Sequence, residues 1–178
     1  DSTGFYRSTP QVTLTVPSTA AKVITVGAYD PVYDTYADFS GRGYADSTRT
    51  IGVAAAGLTK PDLVAPGVNI QAPDVYGTFT PTTGTSFATP IVSGAAALLM
   101  EWGIVRGNDP FLYGEKIKAY LRKGARPLKG EKEYPNDRVG YGRLCVADSL
   151  PQTGTTEGTI LAAHWKQFRN RNEEKQMK

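Results

Sequence analysis

The chain has 178 residues, of which 40% are apolar and 21% charged, with one cysteine, one histidine and a formal net charge of +3. One cysteine excludes an internal disulfide and a cysteine-built zinc cluster, and nothing in the composition asks for a metal or a cofactor. The excess charge sits in residues 161–178, where Lys166, Arg169, Arg171, Lys175 and Lys178 face only Glu173 and Glu174; the remainder is neutral, which argues against nucleic acid as a partner.

Residues 1–4, Asp-Ser-Thr-Gly, read as a turn entered from upstream. An alternating stretch over 11–16 is expected as an edge strand, and the β-branched run over 22–29 as a buried strand ended by Asp30 and Pro31. A glycine-rich loop follows at 39–43. Two short strands are expected over 62–65 and 68–72, separated by the turn dipeptide Pro66-Gly67. Residues 85–105 are apolar on almost every side, the pattern of a helix buried inside a larger protein. Small residues and Glu101 argue against a membrane span there.

A second helix is predicted to start at Asn108-Asp109-Pro110, with proline at its first position, and to stop at Gly124. Residues 141–146 read as a late strand leading into a short helical turn, and Cys145, as a lone cysteine, is expected as a small buried hydrophobe. From 151 to 158 the composition is that of a linker. Leu161, Trp165 and Phe168 then share one helical face ahead of a charged tail. Strands alternating with helices predict an α/β protein with a mostly parallel sheet in residues 1–150, followed by a linker and basic amphipathic tail in 151–178.

The chemistry gathers at Thr83-Gly84-Thr85-Ser86-Phe87-Ala88-Thr89-Pro90. A glycine turn delivers a serine to the mouth of an apolar helix, where unpaired N–H groups and a partial positive charge collect. A serine there can attack a carbonyl carbon while its own N–H faces the developing oxyanion. The plainer alternative is that Thr85 or Ser86 is an N-cap, a position both residue types favour.

Gly84-Thr85-Ser86-Phe87-Ala88-Thr89-Pro90-Ile91-Val92-Ser93-Gly94-Ala95-Ala96-Ala97-Leu98-Leu99 resembles the serine motif of the subtilisin-like protease family, G-T-S-[MF]-A-[ST]-P-x-V-[AS]-G-x-x-A-L. In the same order, Lys22-Val23-Ile24-Thr25-Val26-Gly27-Ala28 resembles the strand preceding that serine. Lys60-Pro61-Asp62-Leu63-Val64-Ala65-Pro66-Gly67 resembles the family's K-P-D-[LVI]-x-A-P-G segment. Residues 108–114, 118–121 and 124–127 are similar to a narrower branch, the clostridial subtilases linked to spore germination.

The resemblance implies a three-layer α/β/α fold present as its C-terminal portion, and serine endopeptidase activity on peptide or protein substrates. It makes Ser86 the nucleophile, puts Thr83 and Gly84 at the border of the primary pocket, and makes Thr85 a substrate neighbour. The family's triad runs Asp, His, Ser along the chain. His164 follows the serine and is read as a bystander imidazole. The family's oxyanion asparagine precedes the Lys22 strand, whereas Asn69, Asn108 and Asn136 all follow it. The upstream half of the domain is therefore the expected partner, supplying Asp, His and Asn. Asp62 falls in a structural turn as an acceptor of backbone N–H groups. Pro90 either opens the first turn of a helix begun at Ser86 or stands at the first position of a later helix. Taken alone, the chain is expected to self-associate through its apolar helix. The competing function is that of a pseudoprotease, a fold kept for binding after the upstream residues were lost.

Overall fold

The computed structural model describes residues 10–44 and 59–151. The turn at 1–4, the linker over 152–158, the helix expected over 161–168 and His164 lie outside the described residues.

The sheet is built on β1 (Val26–Asp30), which runs antiparallel to β2 (Thr35–Tyr36) and parallel to β3 (Leu63–Pro66), in the order β2-β1-β3. Period-two alternation assigns its side chains. Ala28, Leu63 and Ala65 enter one core with Ala88, Val92, Ala95, Leu99, Ile117 and Leu121. Tyr29, Tyr36 and Val64 enter a second core with Leu128 and Val139 on the opposite face. Leu63, Val64 and Ala65 are each fully buried, as a strand covered on both faces requires.

Helix α1 (Thr85–Met100) packs on β1 and β3 through Ala88, Val92, Ala95 and Leu99, and a π-helical turn, Glu101–Val105, continues it. Together these residues are long and apolar enough to cross a bilayer by length and composition. Here they form a helix laid against the sheet. Only the face spaced at i, i+4, i+7 and i+11 is buried. Leu98 and Met100, on the other side, are 54% and 44% exposed, so the all-round burial expected from the sequence is not met by the described residues. Pro90 lies inside the helix, so the helix begins before it and the Ser86 carbonyl loses its usual N–H partner.

Several expected elements are placed differently. Residues 11–16 form no strand but turns around an irregular stretch at 13–15, tied to the 39–43 loop by one backbone bond from Thr13 N–H to the Arg42 carbonyl (2.8 Å) and by the Arg42 N–H to Thr13 Oγ1 (2.9 Å). The ribbon of β4 (Ile70–Pro73) and β5 (Phe79–Thr82) is antiparallel; β5 carries Pro81, which an exposed two-stranded ribbon tolerates. Helix α2 (Gly114–Lys123) starts five residues after Asp109. The Asp109 carboxylate is already engaged by Lys116 Nζ and by Tyr120 Oη (2.9 Å), and residues 109–112 close a turn instead. Residues 142–144 add one parallel bridge to β3, with Val64 N–H donating to the Gly142 carbonyl (2.9 Å) and Leu144 N–H to the Val64 carbonyl (2.8 Å). The short helix α3 (Val146–Ser149) follows at once and cuts that strand off. Cys145 is only half-buried, because it caps α3 at the rim of the sheet.

The class is α/β, as expected. Its described part contributes the sheet and one helical layer, α1 and α2.

Candidate active site

Ser86 is exposed in the first turn of α1. The residue at the N-cap is Gly84, and no side chain caps the helix. The capping reading of Thr85 and Ser86 is thereby replaced: neither serves that purpose, and the Ser86 hydroxyl has no hydrogen bond among the described residues. Gly84 has φ 156° and ψ 157°, a region glycine alone visits readily, although a Cβ would find its nearest neighbour at an ordinary 3.6 Å. The need for glycine here is conformational.

The turn ahead of the serine is tied to the end of β3. Gly84 N–H donates to the Gly67 carbonyl at 2.8 Å, and Asn69 N–H donates to Thr83 Oγ1 at 3.1 Å. A Cβ on Gly67 would stand 2.6 Å from the Ala28 Cβ, so only glycine lets the loop approach β1 this closely. Pro66-Gly67 therefore locates the serine as well as ending a strand.

A cleft of about 710 Å³ opens beside Ser86. Thr85, Ser86 and Thr89 line it from α1, Ile24 and Thr25 from the approach to β1, and Phe39 from the loop opposite. The turns of residues 10–18 close its far side. Of the expected pocket residues, Thr85 lines this cleft. Thr83 and Gly84 do not, and Thr83 instead spends its hydroxyl on the Asn69 N–H.

Asp62 does not itself line the cleft; it is fully buried behind Thr25. It accepts the Thr25 N–H at 2.7 Å, as expected, but it is also ringed by cations: Lys60 Nζ at 2.9 Å, Lys118 Nζ at 3.0 Å and Arg122 Nε at 2.9 Å. Burial lowers the Lys60 pKa, against the opposing pull of Asp62. The lysines also reach outward. Lys60 Nζ and Lys118 Nζ both donate to the Val23 carbonyl (2.7 and 2.9 Å), and Lys118 Nζ to the Ala21 carbonyl (2.7 Å). Bound to ammonium groups rather than to a neighbouring strand, residues 21–23 stay out of the sheet, which is why β1 begins at Val26. The ion cluster thus fixes the segment that walls the cleft. Of the three asparagines among the described residues, two are spent locally: Asn108 Nδ2 donates to the Trp102 carbonyl (2.8 Å), and Asn136 holds Arg138 N–H, Val139 N–H and Glu131.

The sequence model of the subtilase family matches residues 4–142. Among curated proteins, the serine protease AprX of Bacillus subtilis is 33% identical over 159 residues, covering 78% of this chain and 32% of that protein. The minor extracellular protease Vpr of the same organism is 32% identical, covering 75% and 17%. Among solved structures, the Clostridium perfringens CspB protease is 47% identical with a TM-score of 0.68, covering 77% of this chain and 27% of that one. The prenylagaramide maturation protease PagA is 34% identical with a TM-score of 0.57, covering 75% and 43%. The chain therefore spans about a third or less of these two curated relatives. The likeness to CspB agrees with the clostridial branch that residues 108–127 resemble.

Proposed function

Because the chain belongs to the subtilase family, we propose that it is the serine-bearing part of a serine endopeptidase, with Ser86 as the nucleophile. The observation that carries this reading is the site of Ser86: exposed, uncapped, its hydroxyl without a hydrogen bond among the described residues, and on the wall of a cleft at the N-terminus of an apolar helix.

The Ser86 oxygen adds to the carbonyl carbon of the scissile peptide bond as its proton passes to a histidine base. The resulting oxyanion is held by the Ser86 N–H, which the first helical turn leaves unpaired. Collapse of the tetrahedral adduct, with the histidine returning its proton to the departing amine, leaves an acyl-enzyme that water then hydrolyses. The one histidine of this sequence, His164, follows the serine. The Asp, the base and a second oxyanion donor, an asparagine, come from the upstream half of the same domain. Thr85 and Thr89 border the bound peptide within the cleft; Thr83 and Gly84 border it from outside.

Loss of the base alone costs such enzymes about 10⁶-fold in turnover. The isolated chain is therefore inactive, and the longer protein that contains it hydrolyses peptides. The test compares the longer protein, its Ser86→Ala variant and the isolated chain on an unstructured protein substrate. Cleavage by the first alone supports the reading. Cleavage by Ser86→Ala, or a well-folded longer protein with no peptidase activity, overturns it.

A further inference from the structure

The cleft beside Ser86 is walled by apolar side chains and hydroxyls, and among the described residues one charged side chain lines it, Asp38. Asp38 is exposed, and it has neither an ion pair nor a side-chain hydrogen bond among the described residues. Its neighbours are different. Asp30 accepts the Val32 N–H, Asp34 pairs with Arg143, and Asp62 holds its three cations. Among the described residues, Asp38 is thus a carboxylate without a structural duty, set in a groove that no cation lines.

Lysine and arginine match such a groove. Each has an apolar stem ending in a charged head, so the stem can lie along Ile24, Phe39 and Leu14 while the head meets the carboxylate. The volume lies in the range of ordinary ligand sites. A neutral side chain of similar length fills the same space without the charge pairing, and an acidic one meets a like charge.

We propose that Asp38 is a specificity residue that selects a lysine or arginine side chain of the substrate, lodged in the cleft next to the bond that Ser86 attacks. The inference rests on Ser86 as nucleophile for its effect on cleavage, and on the cleft alone for its effect on binding. Discrimination by one partly solvated ion pair amounts to about fivefold and shrinks as salt rises.

The test uses the longer protein and a peptide library varied at each position around one cleavable bond. At one position, Lys and Arg should raise kcat/KM about fivefold over Gln and Met at low salt. Asp38→Asn should bring that ratio near one, and Asp38→Lys should turn the preference toward Asp and Glu. A library with no basic preference, or a preference that survives Asp38→Asn, overturns the proposal while leaving the nucleophile assignment standing. If no Ser86-dependent cleavage is found, binding decides: calorimetry with the Ser86→Ala protein and a Lys peptide against its Gln counterpart. Salt-sensitive tighter binding of the Lys peptide, lost in Asp38→Asn, supports the proposal. Equal binding of the two peptides overturns it.

Discussion

Replacing Asp62 by asparagine keeps the shape of the side chain and an acceptor for the Thr25 N–H, but removes the negative charge that Lys60, Lys118 and Arg122 share among the described residues. Asp62 and Lys60 are fully buried and Lys118 nearly so, so water offers little compensation. Breaking a buried pair by deleting one partner costs about 3–5 kcal/mol. Against a total stability on the order of 5–15 kcal/mol, Asp62→Asn should leave the protein marginal. The effect should be non-additive. With Asp62 gone, Lys118→Met removes an uncompensated charge, so the double variant should be less destabilised than the sum of the singles, with a coupling of about 1 kcal/mol or more. Denaturant titration of the four proteins of this cycle measures both quantities. A loss below about 1 kcal/mol for Asp62→Asn, or strict additivity, would refute the reasoning.

Burial, with Asp109 next, raises the Tyr120 pKa, so the folded state favours the protonated phenol. Its contribution is complete below the ordinary tyrosine value of about 10 and is lost as pH rises toward the folded value. Denaturant titrations above pH 10 should therefore show stability falling more steeply in the wild type than in Tyr120→Phe; equal slopes would contradict this. The isolated chain should self-associate, because the outer face of α1 leaves Leu98 and Met100 uncovered beside Ile104 and Val105. Light scattering that shows a monodisperse monomer at high concentration would argue against it.

The part of the fold most legible in the sequence is the part fixed by local chemistry. The apolar run after Thr85 made a helix and the run around Val26 made a strand, because each needs little beyond its own residues; Pro66 instead ends β3 and the chain bends at 68–69, where Gly67 is held by Ala28 and Gly84. What was not legible depends on partners distant in sequence. Asp62 lies some 60 positions from Lys118 and Arg122, and nothing local to either segment signals the pairing. The start of α2 moved to Gly114 because Asp109 pairs with Lys116 and Tyr120, which overrides the Asp-Pro start signal. At the site, Ser86 and its glycine turn were evident from the motif. The cleft was not, because its walls come from 10–18, 23–26 and 38–41, none of which has a catalytic signature. Asp38 gave no local signal at all; only its isolation within that cleft distinguishes it.

The central claim is that Ser86 is a nucleophile completed by residues upstream. A fluorophosphonate reports this directly, since it reacts with a serine activated by a base and spares ordinary hydroxyls. The reagent is applied to the isolated chain, to the longer protein and to its Ser86→Ala variant, and the adduct is located by peptide mass spectrometry. The account predicts one adduct, on Ser86, in the longer protein alone. A cooperatively folded longer protein whose Ser86 stays unlabelled, or an isolated chain labelled as quickly, would contradict it.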